Sequence, residues 1–326
     1  MLSLPGFREA VPNASLLIGD QVDFQTFEKA KKWKFDGSLY YKQLFNQTED
    51  RFVIALTWRR TTSNYSNFYL SGVDLPLKTN LEMVRIFKQL NGTTNIDVNP
   101  IPSDRIRLVK NMDWPLQLYK SSLSGLLSRQ GLSAAMKSER VRDFIIFAQK
   151  LECPDEALWS TIFGNPNMLP IPSTFDAKAV LAQLQIEEKA IKRRCTMSAA
   201  KNRTIEEPFV LDDYYISRYQ VWMWPYSENT NPFCHGKFAH YSCVYGLLDL
   251  KNLITRPELV AHKFYLDVEP AAYFVLYEAI RHRALNTTTQ AAFRGRVYAQ
   301  LPFVQMAAGV NISTLQLHIN QCRINW

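Results

Sequence analysis

Residues 71–92 read SGVDLPLKTNLEMVRIFKQLNG, and this stretch decides the fold class. Ser71 to Pro76 predicts a strand end turning into a loop. Leu81, Val84, Phe87 and Lys88 follow at helical spacing, and Gly92 stops them. Upstream, Phe52–Leu56 and Phe68–Leu70 are short runs of strand type, separated by a Thr/Ser/Asn cluster from Thr61 to Asn67. Downstream the pattern is helical. Val141, Phe144, Ile145, Ala148 and Leu151 mark one face of Glu139–Leu151. Pro154 opens a short helix over Asp155–Phe163. Ser173 or Thr174 caps a long charged helix through Arg194. Pro270 opens a last helix whose buried stripe is Tyr273, Leu276, Tyr277, Ile280 and Ala284. Strand signals near both ends with helices between them predict a mixed α/β domain. Residues 1–48 read as a stem-like lead-in, and 287–326 have no clear period.

The chain of 326 residues is long enough for a sizeable core. Its 47% apolar content and 21% charge exclude wholesale disorder. No apolar run approaches the roughly 18 residues of a membrane span, and the opening MLSLPGFREAVPNAS lacks a signal-peptide pattern. The net charge of +8 is dispersed. Its one basic run, Lys189 to Arg194 continued by Lys201 and Arg203, lacks interleaved aromatics, so nucleic acid is not an expected partner.

Compartment is marked by sequons. Asn-x-Ser/Thr occurs at Asn13, Asn46, Asn64, Asn91, Asn202, Asn286 and Asn311, where chance supplies about two or three. The excess predicts a secretory lumen. The five cysteines form no CxxC pair and have no zinc-finger partners. Cys234 and Cys243 are the best disulfide candidates, because the loop between them, with Pro232 and Gly236, is short and turn-rich.

The chain has no GxGxxG, Walker loop, HExxH, GxSxG or DxD-like acidic pair, so a metal or nucleophile mechanism has no anchor. What remains is a carboxylate. Glu156, in Cys153-Pro154-Asp155-Glu156-Ala157-Leu158-Trp159, lies in the first turn of a helix. A carboxylate there ordinarily serves the helix dipole. It is also well held for general-base work, given a hydroxyl within hydrogen-bond reach. Trp222 and Trp224 fall on one face of an extended segment, as core or as a platform for the apolar side of a sugar.

Gly72-Val73-Asp74-Leu75-Pro76-Leu77-Lys78-Thr79-Asn80 resembles the G-x-D-x-P-[IL]-K-T-N stretch of the core-2/I-branching β-1,6-N-acetylglucosaminyltransferases. The likeness continues through Asn95-Ile96-Asp97 and the Cys-Pro-Asp-Glu-x-Leu-Trp segment at 153–159. It resumes at Arg218-Tyr219-x-x-Trp222, Cys234 through Cys243-Val244-Tyr245-Gly246, and Asp249-Leu250. It closes on His262-Lys263-Phe264-x-x-Asp267-Val268-Glu269-Pro270 and Arg281-x-x-Ala284-Leu285. These motifs fall in order over about residues 68–285.

The resemblance implies a glycosyltransferase-A type fold, a mixed sheet flanked by helices. It implies inverting transfer of GlcNAc from UDP-GlcNAc to the 6-hydroxyl of a GalNAc or galactose, with no metal or other cofactor. Glu156 takes the general-base position. Lys263 matches one of the family's diphosphate-binding cations, and His240 stands where the other, an arginine, is expected. Asp97 matches a sugar-binding Glu, Trp222 and Trp224 match an aromatic pair, and Arg105 lies where a basic acceptor contact is placed. Cys234 and Cys243 match a family disulfide. The glycosyltransferase domain is thereby expected at 49–286, in the lumen of the Golgi or secretory pathway. It departs from the family in two places. Between about 57 and 67 the chain is short of on the order of eighty residues of the nucleotide-binding half. A charged helix, about 174–203, lengthens the interval from Glu156 to Trp222. The family's amino-terminal membrane anchor has no counterpart in the sequence. A non-catalytic, truncated homologue that binds glycans or a protein partner is the alternative.

Overall fold

A computed structural model describes residues 11, 24–34, 66–68, 72–195, 214–223, 231, 233–293 and 295–317. The expected strand at Phe52–Leu56, most of the shortened 57–67 segment, the basic residues Lys201 and Arg203, and Trp224 lie outside these. In chain order come α1 (Phe24–Lys32), β1 (Ser66–Phe68), β2 (Asp74–Pro76), α2 (Asn80–Leu90), β3 (Asn95–Ile96), β4 (Asn99–Pro100), β5 (Tyr119–Lys120) and β6 (Gly125–Ser128). Then follow α3 (Arg129–Lys137), α4 (Glu139–Ala148), a 3-10 turn at Pro154–Ala157 running into α5 (Leu158–Phe163), and α6 (Ala177–Cys195). The remainder is β7 (Arg218–Gln220), β8 (Lys237–Ala239), β9 (Ser242–Val244), α7 (Leu250–Leu253), β10 (Val260–His262), α8 (Pro270–Leu285), α9 (Thr287–Ala292) and α10 (Pro302–Ala307). The α/β class expected from the sequence is therefore present, as helices around small sheets. β6 lies between β1 and β3, β10 lies between β2 and β7, and β4–β5 and β8–β9 form separate pairs. β10 runs antiparallel to β2 and parallel to β7.

The deciding stretch explains how it holds its place. Asp74 stands opposite His262 across β2 and β10, and its Oδ1 is 2.7 Å from His262 Nδ1. Leu75 and Leu77 enter the core between them and α8. Thr79 then starts α2 with a capping box: its Oγ1 accepts from Glu82 N at 3.2 Å, and its own N donates to Glu82 Oε2 at 2.7 Å. Asn91 and Gly92, both left-handed at φ 48° and 78°, end the helix where the sequence placed its stop.

Lys78 is buried and donates through Nζ to the Arg256 carbonyl. Around it Arg283 pairs with Glu82 at 2.9 Å and Arg256 pairs with Glu258. Desolvation by burial, helped by the Arg283 charge, lowers the Lys78 pKa to about 7. The unfolded lysine, titrating at about 10.4, therefore holds an extra proton between that pH and about 7, so stability rises with pH across this window. Urea unfolding at pH 7.5 and 9.5 should give the wild type the higher stability at pH 9.5, by at most about 1.4 kcal/mol per pH unit. Lys78→Met should abolish that slope.

Three expectations are corrected. Asp176, not Ser173 or Thr174, caps α6, its Oδ1 accepting from Ala179 N at 3.0 Å. Ser173 instead adopts φ 66° and donates to the Gly92 carbonyl at 2.6 Å. On α8 the stripe is different: Tyr277 and Ala284 are exposed, while Ala271, Ala272, Phe274 and Val275 are buried with Leu276 and Ile280. The first half of that helix is apolar nearly all round, so period alone does not choose its face. The third concerns residues 287–317, which carry no clear period yet join the core. Tyr298 is fully buried with its hydroxyl donating to the Pro257 carbonyl at 2.7 Å, and Phe303 packs edge-on against Phe175 at 4.7 Å. Leu317 N donates to Glu187 Oε1 of α6 at 2.8 Å. The lead-in also contributes, since Ala30 of α1 is buried and Trp33 meets Phe274 edge-on at 5.3 Å.

Cys234 and Cys243 are joined, with Cα atoms 5.9 Å apart, and tie the β8–β9 hairpin to the segment before it. Closing so short a loop constrains the unfolded chain by roughly 2–3 kcal/mol. A Cys234→Ala/Cys243→Ala variant should lose about that much in a denaturant melt. Among the described residues no helix is long and apolar enough to cross a membrane.

Candidate active site

Glu156 sits on a tight turn built for it. Cys153 takes a left-handed φ of 55°, Pro154 starts the 3-10 turn, and Glu156 N donates to the Cys153 carbonyl at 3.1 Å. Its carbonyl accepts from Ser121 N, which fixes the turn to the end of β5. The loop before β5 folds over the same turn, with Glu152 N donating to the Arg105 carbonyl at 3.0 Å. Arg105 and Glu156, far apart in sequence, are thereby neighbours.

The carboxylate lies between two cations. Oε2 is 3.3 Å from Arg105 Nη2 and 3.9 Å from Lys120 Nζ, and the Glu156 side chain keeps 29% of its exposure. These are ion-pair distances without hydrogen-bond alignment. Glu156 Oε2 and Arg105 Nε are both buried atoms with no hydrogen-bond partner among the described residues. Such atoms are rare in a folded protein, where water, an ion or a ligand ordinarily supplies the partner. Arg105 also reaches Cys153 Sγ through Nη1 at 2.7 Å.

Lys120 extends the cluster. On β5 it stands opposite Asn99 of β4, whose Nδ2 donates to Asp97 Oδ2 at 2.9 Å. Asp97 Oδ1 accepts from the Tyr214 hydroxyl at 3.1 Å, and the carboxylate is half-buried. Glu156, Arg105 and Asp97 were all named from the sequence, and this region gathers them. Lys120 was missed. It carries no motif, and it comes to Glu156 because the next residue, Ser121, donates its N–H to the Glu156 carbonyl.

A second cluster forms at the β8–β9 hairpin. Its two-residue turn, His240 and Tyr241, has φ of 49° and 62°, the left-handed pair that a type I′ turn requires. Both side chains are exposed. Lys263 lies beneath, 4% exposed, its Nζ donating to the Ala239 carbonyl at 2.7 Å and standing 5.0 Å from the Tyr265 ring centre. It has no carboxylate within ion-pair distance among the described residues. A buried ammonium without a counter-charge is costly, and an anion at this spot would relieve the cost. Trp222, 44% exposed, joins this cluster: it bridges Ser242, and the neighbouring Met223 N donates to the Tyr241 carbonyl at 2.8 Å.

His235 borders the hairpin. Asp249 Oδ1 is 2.9 Å from its Nδ1 and accepts its backbone N–H at 2.8 Å, and that side-chain hydrogen bond raises the imidazole pKa. Asp249 is 14 residues further along the chain, and the fold brings it to this histidine.

β7 joins the two clusters. Arg218 Nη2 donates to Ser122 Oγ at 2.9 Å, beside the Glu156 turn, and Cys243 N donates to the Val221 carbonyl at 2.9 Å, beside the hairpin. Arg218 to Trp222 spans roughly 13 Å of extended chain. The Glu156 turn and the hairpin over Lys263 are thereby tied to one short stretch of chain.

Three curated relatives are similar to the chain. A Homo sapiens β-1,3-galactosyl-O-glycosyl-glycoprotein β-1,6-N-acetylglucosaminyltransferase is 24% identical over 271 residues, covering 74% of this chain and 53% of its own. The Bos taurus protein of the same name is 26% identical over 242 residues, covering 67% and 49%. A Homo sapiens N-acetyllactosaminide β-1,6-N-acetylglucosaminyl-transferase is 25% identical over 244 residues, covering 68% and 51%. The chain spans about half the length of these relatives. No family model matches it. The relatives are core-2/I-branching β-1,6-N-acetylglucosaminyltransferases, the family whose motifs the sequence carries in order.

Proposed function

We propose that the chain is an inverting glycosyltransferase that moves GlcNAc from UDP-GlcNAc to the 6-hydroxyl of a GalNAc or galactose on a glycan. The observation that carries this reading is the Glu156 carboxylate, held between Arg105 and Lys120 with Oε2 unfilled. In the reaction Glu156 accepts the proton of the acceptor hydroxyl. The oxygen attacks the anomeric carbon, the bond from that carbon to the diphosphate breaks, and UDP departs from the opposite face. That displacement inverts the anomeric centre. Charge growing on the diphosphate is met by Lys263 and His240, which is electrostatic stabilisation. No metal ion has a role in this scheme.

Asp97 and Arg105 take the acceptor hydroxyls, and Trp222 with Trp224 forms the stacking surface for the sugar. A glycosyltransferase-A arrangement and a secretory lumen belong to the same reading. The sequons Asn91, Asn286 and Asn311 support the compartment, since all three are exposed.

The test is transfer of labelled sugar to a galactosyl-β-1,3-GalNAc acceptor from UDP-GlcNAc and, separately, from UDP-xylose. The expected product carries GlcNAc in a β-1,6 linkage by proton NMR. Preference for xylose, or no transfer by a folded protein, overturns the reading.

A further inference from the structure

Away from Glu156 and Lys263, a cleft of about 440 Å³ opens between α2 and the 3-10 turn at Gly295–Gln300. Its lining is Arg85, Lys88, Gln89, Phe293, Gly295 and Arg296. Half of these residues are cationic and none is acidic. Arg85, Lys88 and Gln89 share one face of α2 by their i, i+3 and i+4 spacing. Arg296 comes from the opposite wall.

The walls are fixed to one another. Arg85 Nη1 donates to the Phe293 carbonyl at 3.2 Å. A Cβ on Gly295 would stand 3.3 Å from the Arg85 backbone, so glycine lets the turn lie close against the helix. Phe293, 9% exposed, gives the cleft an apolar surface. Lys88 and Arg296 are exposed and have no ion-pair partner among the described residues. Lys88 lies in the last turn of α2, where the helix dipole offsets part of its charge. Arg296 lies outside that helix turn and has no such offset, and a concave wall of one sign concentrates the field within it.

We infer that this cleft binds a sulfate or phosphate ester carried on a sugar. Planar guanidinium groups present paired N–H donors that match tetrahedral oxyanions. The volume falls within the usual range for a small-molecule site, roughly 300–1,000 Å³, and Phe293 and Gln89 offer apolar and amide surface for the ring. The site is separate from the transfer chemistry and stands whether or not Glu156 acts as a base.

The experiment titrates the full chain with N-acetylglucosamine 6-sulfate, inorganic phosphate and unsulfated N-acetylglucosamine, at about 50 and 300 mM salt. Lys88→Gln/Arg296→Gln, both at exposed positions, is compared after thermal melts show it folded, with Arg296→Gln alone as a milder second variant. The sulfated sugar should bind at low salt, weaken at high salt, and lose at least tenfold in the double variant, about 1.4 kcal/mol. The unsulfated sugar should not bind. Sulfated sugar binding more tightly than phosphate supports recognition of the ring as well as the anion. Equal affinity of the two anions overturns the sugar part. Binding unchanged in both variants, or none by the sulfated sugar at about 10 mM, overturns the whole proposal.

Discussion

Glu156→Gln is expected to lower the transfer rate by about 10²–10⁴-fold while leaving the donor affinity nearly unchanged. Glutamine keeps the shape, but it does not take the proton from an acceptor hydroxyl at neutral pH. The fold should tolerate the change. The carboxylate is partly exposed and its contacts with Arg105 and Lys120 are ion pairs without hydrogen-bond alignment, so they contribute about 0–1 kcal/mol. A thermal melt beside the rate measurement separates the roles. Lost rate at unchanged melting temperature fits the base; lost stability with retained rate fits a structural ion pair.

Lys263→Met should have the opposite balance of binding and stability from that of an ordinary buried residue. Methionine fills a similar space, and removing a buried ammonium without a carboxylate partner leaves stability unchanged or raised, even though the Ala239 carbonyl loses its donor. Donor use should collapse. Loss of one pre-placed electrostatic contact to a developing charge costs about 10²–10³-fold in rate. A fall in kcat with little change in melting temperature is the expected pair of results. Unchanged kcat at saturating donor would remove Lys263 from the reaction.

The two clusters were legible in the sequence to different depths. Glu156, Asp97 and Lys263 stand inside motifs whose order over the chain made them the expected site residues. Arg105 was placed only by its rough position in the resemblance, and the loop after β4 brings it to Glu156. Lys120 was not legible, because it reaches Glu156 through a backbone hydrogen bond from Ser121 to the Glu156 carbonyl, a long-range contact that no period announces. The Asp249 partner of His235 was hidden for a related reason: it is reached through the bend at Gly246, whose N donates to Asp249 Oδ2 at 2.8 Å. The deciding stretch gave its helix and stop correctly. Its Lys78 is a buried structural group, which the motif alone did not announce. Residues 287–317 fold into short helices of six residues or fewer, too short to display a 3.6-residue pattern. Trp224, which the sequence pairs with Trp222, lies outside the described residues.

The most direct measurement is calorimetric titration of the purified chain with UDP-GlcNAc in EDTA, with UDP-xylose as control and Lys263→Met alongside. Saturable binding of UDP-GlcNAc that weakens on Lys263→Met is the predicted result. No binding by a demonstrably folded protein, or binding indifferent to Lys263, would contradict the account.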